Sequence, residues 1–390
     1  MAIRTSIYHR IFWVALMAFW CLCFSACVEY FRPELEDFDS VLVVDGAITD
    51  APGPYTIRLS LSSGVYFNEQ QMVENAIVEI IEEGGDQEIL SESQPGTYTT
   101  SENGIQGTPG KSYKISIQLQ DGTHYESEYQ KMPPSISIDS VGTGLEYRYL
   151  SLEEPEVPGY QFYVTTGLAE NSENYLLWSL EATYKYHADF TIDYVYDNYM
   201  IEPYPNPTEF KTCWRTDQVN EIFTFNTAAL SQPKIERLPL HFERVDQREI
   251  SIRYSLLVKQ FTITQEAYTF WNNVQGQIEN QETLYNSQPF QFRGNIYNIN
   301  NPDETILGFF MVAGLNEKRI FVDHPEELDL SYSYCSPDYF SLSSIGLVHP
   351  SNWPIYIYED EAEELAVANE QCFDCRKLDG TLTRPEFWED

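Results

Sequence analysis

Apolar and polar residues alternate along several short stretches between residues 40 and 133, and turn residues separate these stretches. Residues 55–61 and 111–120 are the clearest examples, because every second side chain in each is apolar. A two-residue period places the apolar side chains on one face of a β-strand. Asp121-Gly122 has the composition of a two-residue hairpin turn. With about seven such strands at this spacing, residues 40–133 are predicted to form a seven-strand, Ig-like antiparallel β-sandwich.

Residues 134–390 are less regular but mostly carry strand patterns, which predicts a larger β-rich C-terminal domain with one or two short helices. Residues 175–187 are its clearest strand, and every second side chain from Trp178 to Tyr186 should face a core. There are three further strand candidates, at residues 250–261, 305–312 and 318–322. A turn at residues 315–317 is predicted to join the last two.

Two segments are predicted to be helical. In residues 265–279 the apolar side chains recur at spacings of three and four, which is typical of an amphipathic helix. Thr264 precedes this segment and is a candidate N-cap. A second, short helix is predicted at residues 362–369, just before a pair of cysteines.

The N-terminus has the pattern of a secretory signal. A basic start precedes an apolar run over residues 11–24, which is too short for a spanning helix but suits the central region of a signal peptide. The motif Phe24-Ser25-Ala26-Cys27 that follows resembles the lipobox of bacterial lipoproteins. We therefore expect residues 1–26 to be the signal peptide, Cys27 to carry the lipid, and residues 27–39 to form an acidic tether. The alternatives are a secreted protein with Cys27 in a disulfide, or an uncleaved anchor.

The charge balance narrows the classes of partner. The 390 residues include 23 Lys and Arg against 60 Asp and Glu, which gives a formal net charge of −37. Such a chain repels phosphate backbones, so nucleic-acid binding is excluded. It also avoids anionic lipid surfaces, so the body should project from the bilayer that its acyl anchor would enter.

Four cysteines follow Cys27: Cys213, Cys335, Cys372 and Cys375. An even number in an exported chain predicts two disulfides, with three connectivities open. The last two cysteines have CxxC spacing. A redox pair would need a βαβ context and a zinc site a second ligand pair, and the sequence has neither. Structural disulfides are therefore favoured over both.

No nucleophile, metal-binding or phosphate-binding motif occurs in the sequence. The six histidines are scattered, and His187 on a strand is interpreted as a solvated face residue. The acidic run at residues 359–364 lacks the glycine and alternating oxygens of a calcium loop, so a solvated acidic face is favoured over adventitious Ca²⁺ binding. We therefore predict a non-enzymatic protein that has no cofactor besides the lipid on Cys27.

Five tyrosines are concentrated in one stretch together with three aspartates. Tyrosine offers rigid amphipathic area, which interfaces favour. The stretch is interpreted either as a sheet covered by its own tyrosines or as a contact surface for a sugar or protein. Its tyrosines are Tyr184, Tyr186, Tyr194, Tyr196 and Tyr199.

Several motifs resemble a Bacteroidetes-type outer-membrane lipoprotein family of unknown function. The more specific are EAYTFW at residues 266–271, GNI at 294–296, NPDE at 301–304 and ILGFF at 306–310. The others lie at residues 42–48, 75–78, 96–98, 318–321, 372–376, 380–381 and 385–388. Together they cover essentially the whole chain after the signal.

The resemblance implies a role beside TonB-dependent, SusC-like receptors. Such a lipoprotein would face the cell surface of the outer membrane and assist a receptor in substrate capture or uptake. The resemblance brings no enzymatic residues with it, and it makes the N-terminal sandwich similar to transthyretin-like domains. The alternatives are a stand-alone surface adhesin or glycan-binding module and, third, a hydrolase. The sequence does not identify the ligand.

Overall fold

The structure, a computed structural model, describes residues 40–62, 71–149, 155–168, 174–230, 232–281, 292–328, 332 and 334–389. The predictions for the signal peptide, Cys27 and the tether lie outside these residues. Within them the chain is mainly β, as predicted, with antiparallel pairing dominant.

The first ten strands are β1 (Leu42–Thr49), β2 (Thr56–Leu61), β3 (Gln71–Met72), β4 (Ile77–Glu82), β5 (Gln87–Ile89), β6 (Ser91–Gln94), β7 (Thr97–Thr99), β8 (Ser112–Gln118), β9 (His124–Ser127) and β10 (Gln130–Lys131). The strands after them are β11 (Ile138–Arg148), β12 (Val157–Gly167), β13 (Tyr175–His187), β14 (Tyr194–Asp197), β15 (Met200–Pro203), β16 (Thr212–Asn226), β17 (Lys234–Arg244), β18 (Arg253–Ile263), β19 (Ile296–Asn298), β20 (Leu307–Asp323), β21 (Asp338–Tyr339), β22 (Ile355–Glu359) and β23 (Leu365–Val367).

The helices are α1 (Gln265–Gln281) and the single turn α2 (Leu342–Ile345). Short 3₁₀ turns occur at Thr227–Ala229, Arg248–Ile250, Pro350–Asn352, Glu370–Cys372 and Cys375–Leu378.

An antiparallel sandwich forms in the N-terminal region, as the alternating pattern predicts. Strands β1, β2, β7 and β6 lie in one sheet, and β9, β8, β4 and β5 lie in the other. The apolar side chains between them, including Ile57, Ile80 and Tyr113, are fully buried. Two later segments complete this core. Strand β19 pairs with β9 and contributes Ile296, and strand β20 contributes Phe310.

Strand β20 joins the N-terminal sandwich to the rest of the protein. It runs parallel to β1, from Val43 opposite Leu307 to Thr49 opposite Ala313, and then antiparallel to β18. One nine-stranded sheet therefore extends through both regions in the order β16-β13-β18-β20-β1-β2-β7-β6, with β3 paired to β2. The boundary expected after residue 133 does not interrupt this sheet, and residues from Val41 onward form one compact unit.

The two strands predicted at 305–312 and 318–322 are in fact one, β20, so the predicted turn at 315–317 is wrong. Side-chain bonds hold the chain extended there. The backbone N–H of Leu315 donates to Asp50 Oδ1 at 2.7 Å. Asn316 Oδ1 accepts from the backbone N–H of Ile138 at 2.8 Å. Asparagine, usually a turn residue, serves here as a tertiary acceptor within a strand.

A second core lies between the large sheet and the three-stranded sheet β11-β12-β17. Strand β13 has the predicted bounds and the predicted buried face, from Trp178 at 1% exposed to Tyr186 at 1%. The Trp178 indole N–H donates to Gln260 Oε1 at 3.1 Å. The strand expected at 250–261 begins three residues later, as β18, and supplies Leu256 and Val258 to the same core.

A five-stranded sheet, β15-β14-β22-β23-β21, forms the C-terminal part. The helix predicted at 362–369 is wrong, because β23 pairs with β22 there. The turn between these strands is closed by Asp360, whose Oδ1 accepts the backbone N–H groups of Ala362 and Glu364 at 2.8 and 2.9 Å. Sheet pairing thus overrides the helix preference of an Ala- and Glu-rich segment.

Two disulfides form, as predicted, and they settle the open connectivity. Cys213 pairs with Cys375, and Cys335 pairs with Cys372. The CxxC cysteines therefore bond to two separate partners rather than to each other. The first bridge ties β16 to the C-terminal segment over a sequence separation of 162, so it closes a long loop.

Candidate functional site

The outer face of the large sheet, opposite the second core, is covered only in part. Helix α1 packs on one end through Ala267, Phe270 and Trp271. Its start is as predicted, since the Thr264 hydroxyl accepts from the backbone N–H of Ala267 at 3.2 Å. The C-terminal tail covers the other end, where Trp388 stacks edge-on against Phe321 at 5.5 Å. A band of the sheet between helix and tail is left uncovered.

Two adjoining hollows occupy this band, with volumes of about 490 and 480 Å³. Both are within the size range of small-ligand pockets. They share a wall and floor of five residues, and we call the pair the outer-face groove. The shared residues are Asp45, Ser179, Phe261, Trp271 and Met311.

The strand registers explain why these side chains meet. Phe261 of β18 lies opposite Leu315 of β20, and Met311 of β20 lies opposite Ala47 of β1. Side chains directly opposite each other point to the same face of a sheet. The floor of the groove is therefore apolar, and Trp271 of α1 stands over it from the helix side.

Charged groups of both signs line or border the groove. Arg58 lies 3.6 Å from Asp45, and both side chains are more than half exposed. Glu181 contacts Lys259 at 3.7 Å and Arg319 at 3.3 Å. Burial lowers the pKa of Arg319, an effect that Glu181 opposes. The apolar floor thus has an edge of paired ions.

The Trp271 indole has an unsatisfied donor. Its Nε1–H is buried and has no acceptor in the described part of the chain. A buried donor without an acceptor costs about 1–3 kcal/mol. The Trp271 ring itself lines both hollows of the outer-face groove, so a ligand bound there would contact the ring.

One histidine, His241, is buried between two glutamates beneath one of the hollows. Glu221, one of these two glutamates, also lines that hollow. His241 Nδ1 is 2.8 Å from Glu221 and its Nε2 is 3.0 Å from Glu243. Burial lowers the pKa of His241, but the hydrogen bonds to the two carboxylates outweigh it and raise that pKa to about 9. The imidazole is therefore protonated at neutral pH and is held as a structural ion triplet.

The tyrosine contact surface that the sequence left open as one of two interpretations does not form as one surface. Tyr184, Tyr186 and Tyr196 are 5%, 1% and 4% exposed, because they fill cores. Tyr186 donates to the backbone oxygen of Cys375 at 2.7 Å. Tyr194 is partly buried, and only Tyr199 is well exposed, against Trp353. For the three buried residues the sheet-covering interpretation is the correct one.

The other residues that the sequence singled out are His187, the acidic run at residues 359–364 and Cys27. His187 is exposed and hydrogen bonds to Thr212, as a face residue should. Asp360 of the acidic run closes a turn, and the described residues contain no cluster of three or more side chains able to hold a metal ion. Cys27, the predicted lipid site, lies outside the described residues.

Sequence reasoning missed the outer-face groove. The sequence pattern places Trp271 on the apolar face of its helix, which is correct, and Ser179 on the polar face of its strand. That pattern could not show that helix and tail would leave the band between them open. The sequence did contain one signal for the groove. Helix α1 has an aromatic face, and the polar face of strand β13 carries only small or charged residues.

Comparison with known proteins gives one match. The family model described as a domain of unknown function (DUF4249) matches residues 28–319. No curated protein and no solved structure matches. Among the described residues, none of the helices is long and apolar enough to cross a bilayer.

Proposed function

We propose, from the premise that this chain belongs to the DUF4249 family of domains of unknown function, that it is a lipid-anchored, non-enzymatic binding protein of the outer membrane. In this proposal it faces the cell surface, captures a ligand in the outer-face groove and works as the accessory partner of a TonB-dependent, SusC-like receptor.

The anchor rests on the N-terminal sequence. A signal-type apolar run ends in a lipobox-like motif at Cys27, and the family match begins at the next residue, 28. This supports a leader that is separate from the family domain. Acyl chains on Cys27 would hold the protein at the bilayer, since several chains anchor stably where one does not.

The observation that carries the binding role is the groove itself. It combines an apolar floor, a buried donor on Trp271 without a partner in the described residues and ion pairs of both signs at its edge. A short peptide suits this combination, because its carbonyl groups accept hydrogen bonds and its charged side chains complement both signs. An uncharged sugar would leave the paired ions unused.

The groove is tested by affinity selection from a mixture of random hexapeptides on the purified full chain. Trp271→Ala should weaken retention by about tenfold or more, since it removes aromatic contact area that lines both hollows. Trp353→Ala is the matched control, because its indole N–H is also buried without an acceptor in the described residues but lies outside the groove.

Equal retention by the two variants would contradict a groove site. Retention of maltohexaose in preference to peptides would instead favour the glycan-binding alternative, which has lost the support of the three buried tyrosines.

The receptor partnership rests on the family resemblance and needs its own test. We expect a TonB-dependent receptor to co-purify with the chain from gently solubilised outer membranes. Recovery of the chain alone, while other receptor complexes in the same extract stay intact, would contradict this part of the proposal.

A further inference from the structure

A second pocket, separate from the outer-face groove, gathers positive charge in a strongly acidic protein. It has a volume of about 300 Å³ and lies where the end of β13 meets the 3₁₀ turn Arg248–Ile250. We call it the basic pocket. Its lining includes His187, Asp189, Lys211, Arg248, Ile252 and Tyr332.

Arg248 is the main feature of the basic pocket. Its side chain is only 18% exposed. The guanidinium carbon lies over the rings of Tyr334 and Tyr186, 4.4 and 5.7 Å from their centres, which is within the range of cation–π attraction and favours one orientation of the side chain. In the described part of the chain no acceptor lies within hydrogen-bond distance of it, although a guanidinium has five N–H donors. Its nearest carboxylate, on Asp189, is 3.6 Å away.

The carboxylate of Asp189 accepts hydrogen bonds from groups other than Arg248. Its side chain is 5% exposed, and its Oδ2 accepts the backbone N–H groups of Tyr334 and Cys335 at 2.6 Å each. Those bonds are enough to hold a buried carboxylate in place. The donors of Arg248 are therefore oriented and still lack acceptors among the described residues.

Lys211 adds the second positive charge. Its Nζ donates to the backbone oxygen of Asp189 at 2.9 Å, which leaves two of its three donors for another partner. Although the His187 residue is exposed as a whole, partial desolvation of its ring lowers its pKa, and nearby Lys211 and Lys185 add to the effect, so that imidazole is neutral at pH 7. Burial lowers the pKa of Lys211, an effect that Asp189 and Asp193 oppose. Among the residues that line the basic pocket, Arg248 and Lys211 against Asp189 leave one positive charge in excess.

We propose that the basic pocket binds a small carboxylic acid, whose carboxylate pairs with Arg248 and Lys211. One excess positive charge matches a monoanion better than a doubly charged phosphate. A carboxylate also fits the planar fork of an arginine. Ile252 and Tyr332 offer contact to an apolar body, and the volume limits the ligand to a small molecule.

Isothermal titration on the purified full chain tests the proposal, with propionate, benzoate and succinate as probes and benzamide as the uncharged analogue of benzoate. We expect at least one monocarboxylate to bind with a Kd below roughly 10 mM and benzamide to bind at least about tenfold more weakly. Failure of every carboxylate, or equal binding of benzamide, would overturn the proposal. Tighter binding of inorganic phosphate would overturn the choice of a carboxylate.

Variants locate the site. Arg248→Gln should weaken the binding carboxylate by about tenfold or more, since a charge-assisted bond is lost. Arg253→Gln is the matched control, because Arg253 also pairs with an aspartate, lies over an aromatic ring and is 21% exposed. If Arg248→Gln does not fold, Arg248→Lys keeps the charge and should weaken binding by a smaller factor. If Arg248→Gln folds, an unchanged Kd, or a loss of affinity equal to that of Arg253→Gln, would contradict the assignment. If it does not fold, an unchanged Kd in Arg248→Lys would contradict it. The outer-face groove is not involved, so this result is independent of the peptide test.

Discussion

Single buried polar residues separate the structural from the functional positions in this protein. His241 satisfies both ring nitrogens with carboxylates, and Tyr186 satisfies its hydroxyl with a backbone oxygen. The Trp271 indole N–H and the Arg248 guanidinium, by contrast, have no acceptor within hydrogen-bond distance among the described residues. The indole N–H of Trp353 has none either, so an unpaired donor alone does not mark a binding site. Trp271 and Arg248 differ in that each lines a hollow, and we therefore assign ligand binding to these two residues.

The His241 ion triplet predicts a pH-dependent contribution to stability. Its pKa is raised to about 9 in the fold, against about 6.5 in the unfolded chain. A raised pKa stabilises the fold fully below about pH 6.5, and this contribution disappears as pH rises through about 9. His241→Gln should therefore lower the free energy of unfolding by about 1–3 kcal/mol more at pH 6 than at pH 10.

Denaturant titrations of wild type and variant at both pH values measure this difference. His349→Gln is the control, because His349 is exposed and its ring bonds, among the described residues, to neighbouring Ser351. The same loss for His241→Gln at pH 6 and pH 10 would show that the imidazole is held neutral and would rule out the ion triplet.

At the scale of elements, the sequence predicts best where one periodicity dominates. The bounds of strand β13 are predicted correctly because its two faces differ clearly. The side chains of one face fill a core, and the other face carries small or charged side chains. Helix α1 is predicted with its N-cap for the same reason. Local pattern and tertiary packing agree at both places.

The elements that sequence reasoning missed depend on distant partners. Strand β20 continues through Leu315 and Asn316 because Asp50 and Ile138, far away in sequence, bond to them. Strand β23 forms because β22 provides an edge to pair with. Such bonds leave no local pattern, and this is also why neither the outer-face groove nor the basic pocket could be predicted.

The molecule as a whole combines a continuous sheet with a strongly acidic surface. The large sheet extends from the N-terminal sandwich to β16, so the groove is built from both halves of the chain. The net charge of −37 opposes contact with an anionic bilayer. A tethered body of this kind would hold its groove away from the membrane, where a ligand can reach it.

The most direct test of a lipid-anchored binding protein measures the retention of labelled random hexapeptides on intact cells that express the chain. Wild type and Trp353→Ala should retain peptide, Trp271→Ala should retain about tenfold less, and Cys27→Ser should lose retention because the chain leaves the surface. Immunodetection of the chain on the same cells separates loss of anchoring from loss of binding. Retention by Cys27→Ser or Trp271→Ala cells equal to wild type would contradict the anchor or the groove, respectively.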